Sequence, residues 1–232
     1  MLRETYVAGW RAARRAADKT GLLARLDRAE NKAARHARTL FAIHDVEDLS
    51  RLDLPWWTYP AIEEVDAALA ARGGDARVFE YGSGASSVWL GRRAAEVRSV
   101  EHSREFVDFL TPALADLPNV HLRHVEAPQR GENARVPSQR HDHDGLDFGD
   151  YVASIDEIGG SFDLIVIDGR ARAACLRQAI PHLAEDGLIV FDNSNRARYA
   201  EAILTSGLRA TRYRGLAPCL PYQSETTVLR RG

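Results

Sequence analysis

The chain has 232 residues, of which 45% are hydrophobic and 28% charged, with a formal net charge of -2. This is the composition of a globular protein with one sizeable core. No apolar run approaches the ~18 residues that a membrane helix needs, and no apolar segment follows the first charges, so the sequence reads as cytoplasmic with no membrane partner.

Residues 1–40 carry 10 Lys and Arg against 4 Asp and Glu, which leaves the rest of the chain net negative. Their apolar members, Tyr6, Trp10, Ala13 and Ala17, then Leu22, Leu23, Leu26, Ala29 and Ala33, recur at helical spacing. The arm therefore reads as a helical extension, residues 1–59, docked on the main domain with a solvated arginine face. It offers a surface for homo-oligomers rather than one for nucleic acid. Residues 49–60 form a break with two prolines and three aromatics. Trp56 and Trp57 suit a core, or a wall of a substrate pocket. A helix over 61–72 follows, with Ile62, Val65, Ala68 and Leu69 on one face and Gly73 and Gly74 as its stop.

Residues 77–101 read as strand, glycine turn, helix and strand. Val78 and Phe79 lead to Glu80, and Gly82 and Gly84 flank Ser83 in a tight turn. Ser86 and Ser87 stand where the helix begins, so their hydroxyls and the free N–H groups of the first turn are expected to face the turn's occupant. A second strand ends at Glu101, followed by His102. Ser103 caps the next helix, interrupted at Pro112, and the third strand spans 120–125. Residues 127–147 contain almost no large apolar side chain and are too long for an ordinary connection, which makes them a lid or a disordered insert. His141 and His143 lie in it as H-D-H-D and are read as solvated rather than metal-binding.

A helical face returns at Tyr151, Val152, Ile155 and Ile158. The run LIVI then reads as a strand buried on both faces and ends in Asp168. A crossover helix follows, with Cys175 on its inner face and Gly187 as its cap. The run LIVF ends in Asp192 and Asn193, which puts both acids at the carboxyl edge, where open α/β sheets bind ligands. A helix over 196–206 and two strands, 208–214 and 226–230, close the chain as an antiparallel hairpin. Cys175 and Cys219 lack CxxC spacing and read as buried thiols.

The patterns E-x-G-x-G-x-S-S at 80–87 and S-V-E-H at 99–102 resemble the cofactor half of the class I S-adenosylmethionine-dependent methyltransferases. The resemblance covers residues 60–232. It implies an α/β fold with a doubly wound, seven-stranded, mostly parallel sheet and S-adenosyl-L-methionine as cofactor. It further implies cofactor contacts from Glu80, Gly82, Ser83, Gly84, Ser86, Ser87, Glu101, His102 and Asp168, with the ribose hydroxyls on Glu101. The tetrapeptide that adenine N-methyltransferases carry after strand four is replaced here by residues 168–171, DGRA, which argues against base amines as acceptors.

Asp168 with Asp192 and Asn193 also resembles the catechol-type metal-dependent O-methyltransferases, whose matching positions bind magnesium. Three hard oxygen ligands suit Mg2+, and the metal would lower the pKa of a bound hydroxyl. That family's lysine after the strand-four acid is Ala171 here, which leaves the base unassigned, with Asp168 as the catalytic candidate. The expected activity is methylation of a small-molecule hydroxyl. A metal-independent methyltransferase of an amine or carboxylate, and a non-catalytic binding protein of the same fold, stay open.

Overall fold

A computed structural model describes residues 2–42, 46–137 and 143–232; side chains 2–8, 11, 46, 47 and 49 are outside that description, as is all of His141. The helices α1 (Leu2–Lys19), α2 (Leu22–Asp27), α3 (Lys32–Leu40) and α4 (Val46–Leu52) come first. Asn31 caps α3 by accepting the Ala34 N–H at 2.8 Å. Arg38 and Asp48 form a buried bidentate pair at 2.9 and 2.7 Å that clamps α3 to α4. The extension docks on the end of the chain: Cys219 donates its N–H to Thr39 Oγ1 at 3.0 Å and its thiol to Thr39 O at 2.9 Å. Both cysteines are buried, as expected.

The helix α5 (Tyr59–Ala71) opens the α/β region with Pro60 in its first turn, where the missing N–H costs nothing. Seven strands follow: β1 (Arg77–Tyr81), β2 (Glu96–Glu101), β3 (Val120–His124), β4 (Phe162–Ile167), β5 (Leu183–Asp192), β6 (Arg209–Leu216) and β7 (Gln223–Arg230). Their order is β3-β2-β1-β4-β5-β7-β6. The first five are parallel, and β7 pairs antiparallel with both β5 and β6. The helices between them are α6 (Ala85–Gly91), α7 (Arg104–Leu110), α8 (Gly149–Ile158), α9 (Arg172–Ala179) and α10 (Ala200–Leu204).

Alternation along the strands divides the core into two layers. Val78, Leu164 and Val166 face Trp57, Val65, Leu69, Trp89 and Leu90, whereas Phe79, Tyr81, Ile165 and Ile167 face Tyr151, Ile155, Cys175 and Leu176. Each fully buried Ile, Leu or Val of β4 contributes roughly 1.5–3 kcal/mol, which is why so short a strand fixes the centre of the sheet. Trp57 is core, edge-on to Trp89 with ring centroids 5.7 Å apart, while Trp56 is 44% exposed.

Three expectations need correction. Gly187 lies inside β5 rather than capping α9, which passes through a single 3-10 turn (Ile180–His182) containing Pro181. The pairing of β4 with β5 shifts register there, and a Cβ on Gly187 would stand 3.0 Å from both Ala184 O and Phe162 O. The helix expected over 196–206 is a 3-10 turn (Ala197–Tyr199) followed by the short α10. The described part of the insert 127–147 has internal support that its polarity did not suggest, from the buried Asp147 carboxylate. That carboxylate accepts from Arg135 Nε at 2.9 Å, Val136 N–H at 3.1 Å and Gly149 N–H at 2.9 Å. Burial pushes its pKa up, but Arg135 and the two N–H groups outweigh this and hold it low. Val136 and Leu146 pack on the core beside it.

Candidate active site

In this strand order the chain turns back between β1 and β4, so the crevice beyond their carboxyl ends is where a ligand enters. Two glycines permit the close approach there. Gly82, at φ 91, would place a Cβ 2.4 Å from Gly169 Cα, and a Cβ on Gly169 would stand 2.0 Å from the Tyr151 hydroxyl.

The β1–β2 register puts Ser99 beside Glu80 on the face covered by α6. Glu80 is fully buried and accepts three hydroxyls: Ser86 at 2.6 Å, Ser87 at 2.5 Å and Ser99 at 2.7 Å. Ser87 Oγ also accepts the Gly84 N–H at 3.0 Å. The hydroxyls of Ser86 and Ser87 thus point back at Glu80 instead of into the turn, and Glu80 is the post on which the turn is built. Burial raises its pKa to about 7 against the pull of the hydroxyls. Different groups remain for an occupant. Among the described residues the buried Ser83 hydroxyl has no hydrogen-bond partner, and a Cβ on Gly84 would meet nothing nearer than Ser86 Oγ at 3.8 Å.

At the end of β2, Glu101 Oε1 accepts the His102 and Ser103 N–H groups, both at 2.9 Å. His102 Nδ1 also lies 2.6 Å from this oxygen, in an alignment too poor for a hydrogen bond. Burial works to raise the carboxyl, but His102 and the N–H groups prevail and hold it below its usual value. Among the described residues Oε2 has no partner. The His102 ring packs 5.5 Å from both His143 and Phe148, so the insert reaches over the residue after Glu101. The Tyr151 hydroxyl is buried nearby, and the Arg170 N–H approaches it without a well-directed hydrogen bond.

At the ends of β4 and β5 a single guanidinium holds the acids. Arg172 Nη2 donates to Asp168 Oδ1 at 2.7 Å and to Asp168 O at 2.6 Å, its Nη1 to Asp192 O at 2.5 Å, and its Nε to Gly169 O at 3.0 Å. Nη1 stands 3.7 Å from Asp192 Oδ2, while Asp192 Oδ1 accepts the Thr226 hydroxyl at 2.8 Å. Burial, then the charge of Asp168, raises Asp192 to about 7; burial also raises Asp168, opposed by Arg172, Arg170 and Arg196. The side chain of Asp168 is 21% exposed and that of Asp192 5%, so of the two carboxylates Asp168 is the one open to a ligand.

These three residues do not fit a magnesium ion. The cation between Asp168 and Asp192 is already Arg172, and Asn193, at φ 53, starts a turn closed by the Arg196 N–H. Among the described residues no group of three or more His, Cys, Asp or Glu is arranged for a metal. The expected set of Asp168, Asp192 and Asn193 is set aside on the position of Arg172 between the two acids, a placement that no local pattern signals.

Beyond Asp168 opens a cavity of about 260 Å³. The insert lines it with Arg135 and Val136, the start of α9 with Arg170 to Ala174 and Arg177, and the turn after β5 with Arg196, Arg198 and Tyr199. Sequence reasoning missed this cavity, along with Ser99, Arg172, Thr226 and the Tyr151 hydroxyl. Only Ser99 had a readable signal, its place opposite Glu80 on paired strands.

Residues 79–194 match the family described as "Methyltransferase domain". No curated protein sequence matches. Similar solved structures include an rRNA methylase from Streptococcus thermophilus, with 10% identity, TM-score 0.49, and coverage of 74% of this chain and 96% of that one. A precorrin-6y C5,15-methyltransferase from Geobacter metallireducens has 14% identity, TM-score 0.48, and coverage of 73% and 88%. A methyltransferase-like protein from Silicibacter pomeroyi has 23% identity, TM-score 0.45, and coverage of 77% and 90%. With half of its length matched, and with the glycine turn and the carboxyl-edge crevice inside the matched segment, the chain belongs to this methyltransferase family and is an S-adenosylmethionine-dependent methyltransferase.

Proposed function

We propose that the chain methylates a hydroxyl of a small molecule held beyond the ends of β4 and β5, with no resident metal ion. The observation that carries this reading is Asp168: a partly open carboxylate, oriented by Arg172 and adjoining Gly169, where the cavity wall begins. A hydroxyl needs a base to become nucleophilic, and a carboxylate whose pKa is raised by burial is a better proton acceptor than one in water. S-adenosylmethionine supplies a methyl group on a sulfonium, ready for in-line displacement. The chain's part is to position and to hold the proton. Glu101 Oε2 accepts from ribose hydroxyls, Ser83 and Gly84 line the turn, and His102 sits beside them. Glu80, Gly82, Ser86 and Ser87 serve the same site from behind by fixing the turn's shape.

Calorimetric titration with S-adenosylhomocysteine, with and without Mg2+, tests cofactor and metal together. Saturable binding that is indifferent to Mg2+ is expected. Absence of binding would sink the cofactor placement, and an affinity set by Mg2+ would sink the metal-free reading. Hydroxyl methylation that persists in excess EDTA and disappears in Asp168→Asn is expected once an acceptor is in hand.

A further inference from the structure

Among the described residues, the wall of the cavity beyond Asp168 has six arginines and no acidic residue. Three are engaged: Arg135 with Asp147 and Asp150, Arg172 with Asp168, and Arg170 with His143. Arg177, Arg196 and Arg198 have no carboxylate within ion-pair distance among the described residues. Several arginines elsewhere are paired closely: Arg38, Arg72, Arg77, Arg93, Arg98, Arg123 and Arg214 each meet an acid at 2.5–2.9 Å. Like charges gathered around one cavity give it a positive potential that favours the entry of an anion.

We propose that the methyl acceptor is a small hydroxylated anion whose phosphate or carboxylate group binds among Arg177, Arg196 and Arg198; this rests on the hydroxyl-methylation reading above. Guanidinium groups match both anions with paired N–H donors. Arg198 is held 5.0 Å over the Tyr199 ring, so its head is oriented before a ligand arrives. Arg196 is near enough to Asp168 to lower its pKa, which puts the anion site next to the base. At about 260 Å³ the cavity lies just below the ~300–1,000 Å³ of ordinary small-molecule sites, and a nucleic-acid duplex does not enter it. The insert closes one wall with Arg135 and Val136, so insert and arginine cluster together set acceptor specificity.

The test is calorimetric titration of the S-adenosylhomocysteine-loaded chain with inorganic phosphate, pyrophosphate, succinate and a single-stranded RNA oligonucleotide. Saturable binding of a small anion is expected, weakened about tenfold or more in Arg196→Gln, the loss of one charge-assisted contact. The same loss is expected in Arg177→Gln/Arg198→Gln, with partial recovery in Arg196→Lys. Phosphate against succinate decides between the two anions. Variants that bind as tightly as the parent, no small-anion binding, or preference for RNA would each overturn the proposal. Binding of S-adenosylhomocysteine is measured on the same samples: its failure strikes the cofactor placement, while the anion titration still decides the cavity.

Discussion

At the ends of β1 and β2, Glu80 accepts three hydroxyls and Glu101 two backbone N–H groups beside the His102 ring, whereas at the ends of β4 and β5 Asp168 and Asp192 share the guanidinium of Arg172. Both pairs solve the problem of an acid near the core, and the difference follows from what each side meets. On the proposed function, a neutral ribose is recognised by the carboxylate oxygen left free, and the acceptor side needs a carboxylate that can take a proton, which a fixed cation orients. The cation also extends the positive wall of the neighbouring cavity.

Removing that cation is the strongest way to break the comparison. Arg172→Ala leaves the buried Asp192 and the half-buried Asp168 without their shared cation, and a loss of about 3–5 kcal/mol of unfolding free energy is expected in denaturant titration. The donor side has no ion pair of this kind. A loss under ~1 kcal/mol would mean that solvent neutralises the acids.

The positions of all four acids were legible in the sequence, because each ends an apolar run that reads as a strand. Their partners were not. Arg172 contacts Asp192 across 20 residues and Thr226 contacts it across 34, and nothing in a local pattern reports such pairs. Ser86 and Ser87 were found but aimed the wrong way, since only the β1–β2 register reveals that Glu80 collects their hydroxyls. The support in the described part of the insert was hidden for a related reason: one buried carboxylate grips backbone N–H groups there, which hydropathy does not register.

A pH titration sharpens the comparison. The folded carboxyl of Glu80 is raised from 4.5 to about 7, so between those values the native state keeps a proton that the unfolded chain releases. Its contribution to stability is complete below the unfolded value and is lost as pH rises through the window, by linkage. Unfolding free energy of the parent should therefore fall relative to Glu80→Gln by roughly 2 kcal/mol between about pH 5 and pH 8. Parallel curves would show that the three hydroxyls hold Glu80 ionised after all. Glu101, held below its usual value, adds the opposite trend at lower pH: its contribution is present above the unfolded value and is lost as pH falls.

On the donor side, Glu101→Ala should weaken S-adenosylhomocysteine binding by about 1.5–3 kcal/mol, the scale of hydrogen bonding to a single free carboxylate oxygen. The other oxygen is already occupied by the N–H groups of His102 and Ser103. Unchanged affinity in calorimetry would remove Glu101 from the site.

The smallest expected effect on stability separates the two glycines of the turn. Gly82 is confined by its φ of 91 and by the Gly169 backbone, so Gly82→Ala must unfold the chain more easily. Gly84 has an extended φ of 175, open to any residue, and its nearest obstacle is 3.8 Å away. Gly84→Ala should therefore change unfolding free energy by no more than ~0.5 kcal/mol, as substitutions at unstrained positions do. If the donor lies against this backbone, the added methyl must still lower S-adenosylhomocysteine affinity, because it occupies space that the empty turn leaves open. Stability and affinity both unchanged would place the ligand elsewhere on the edge and leave the Glu80 hydroxyl network as a purely structural brace.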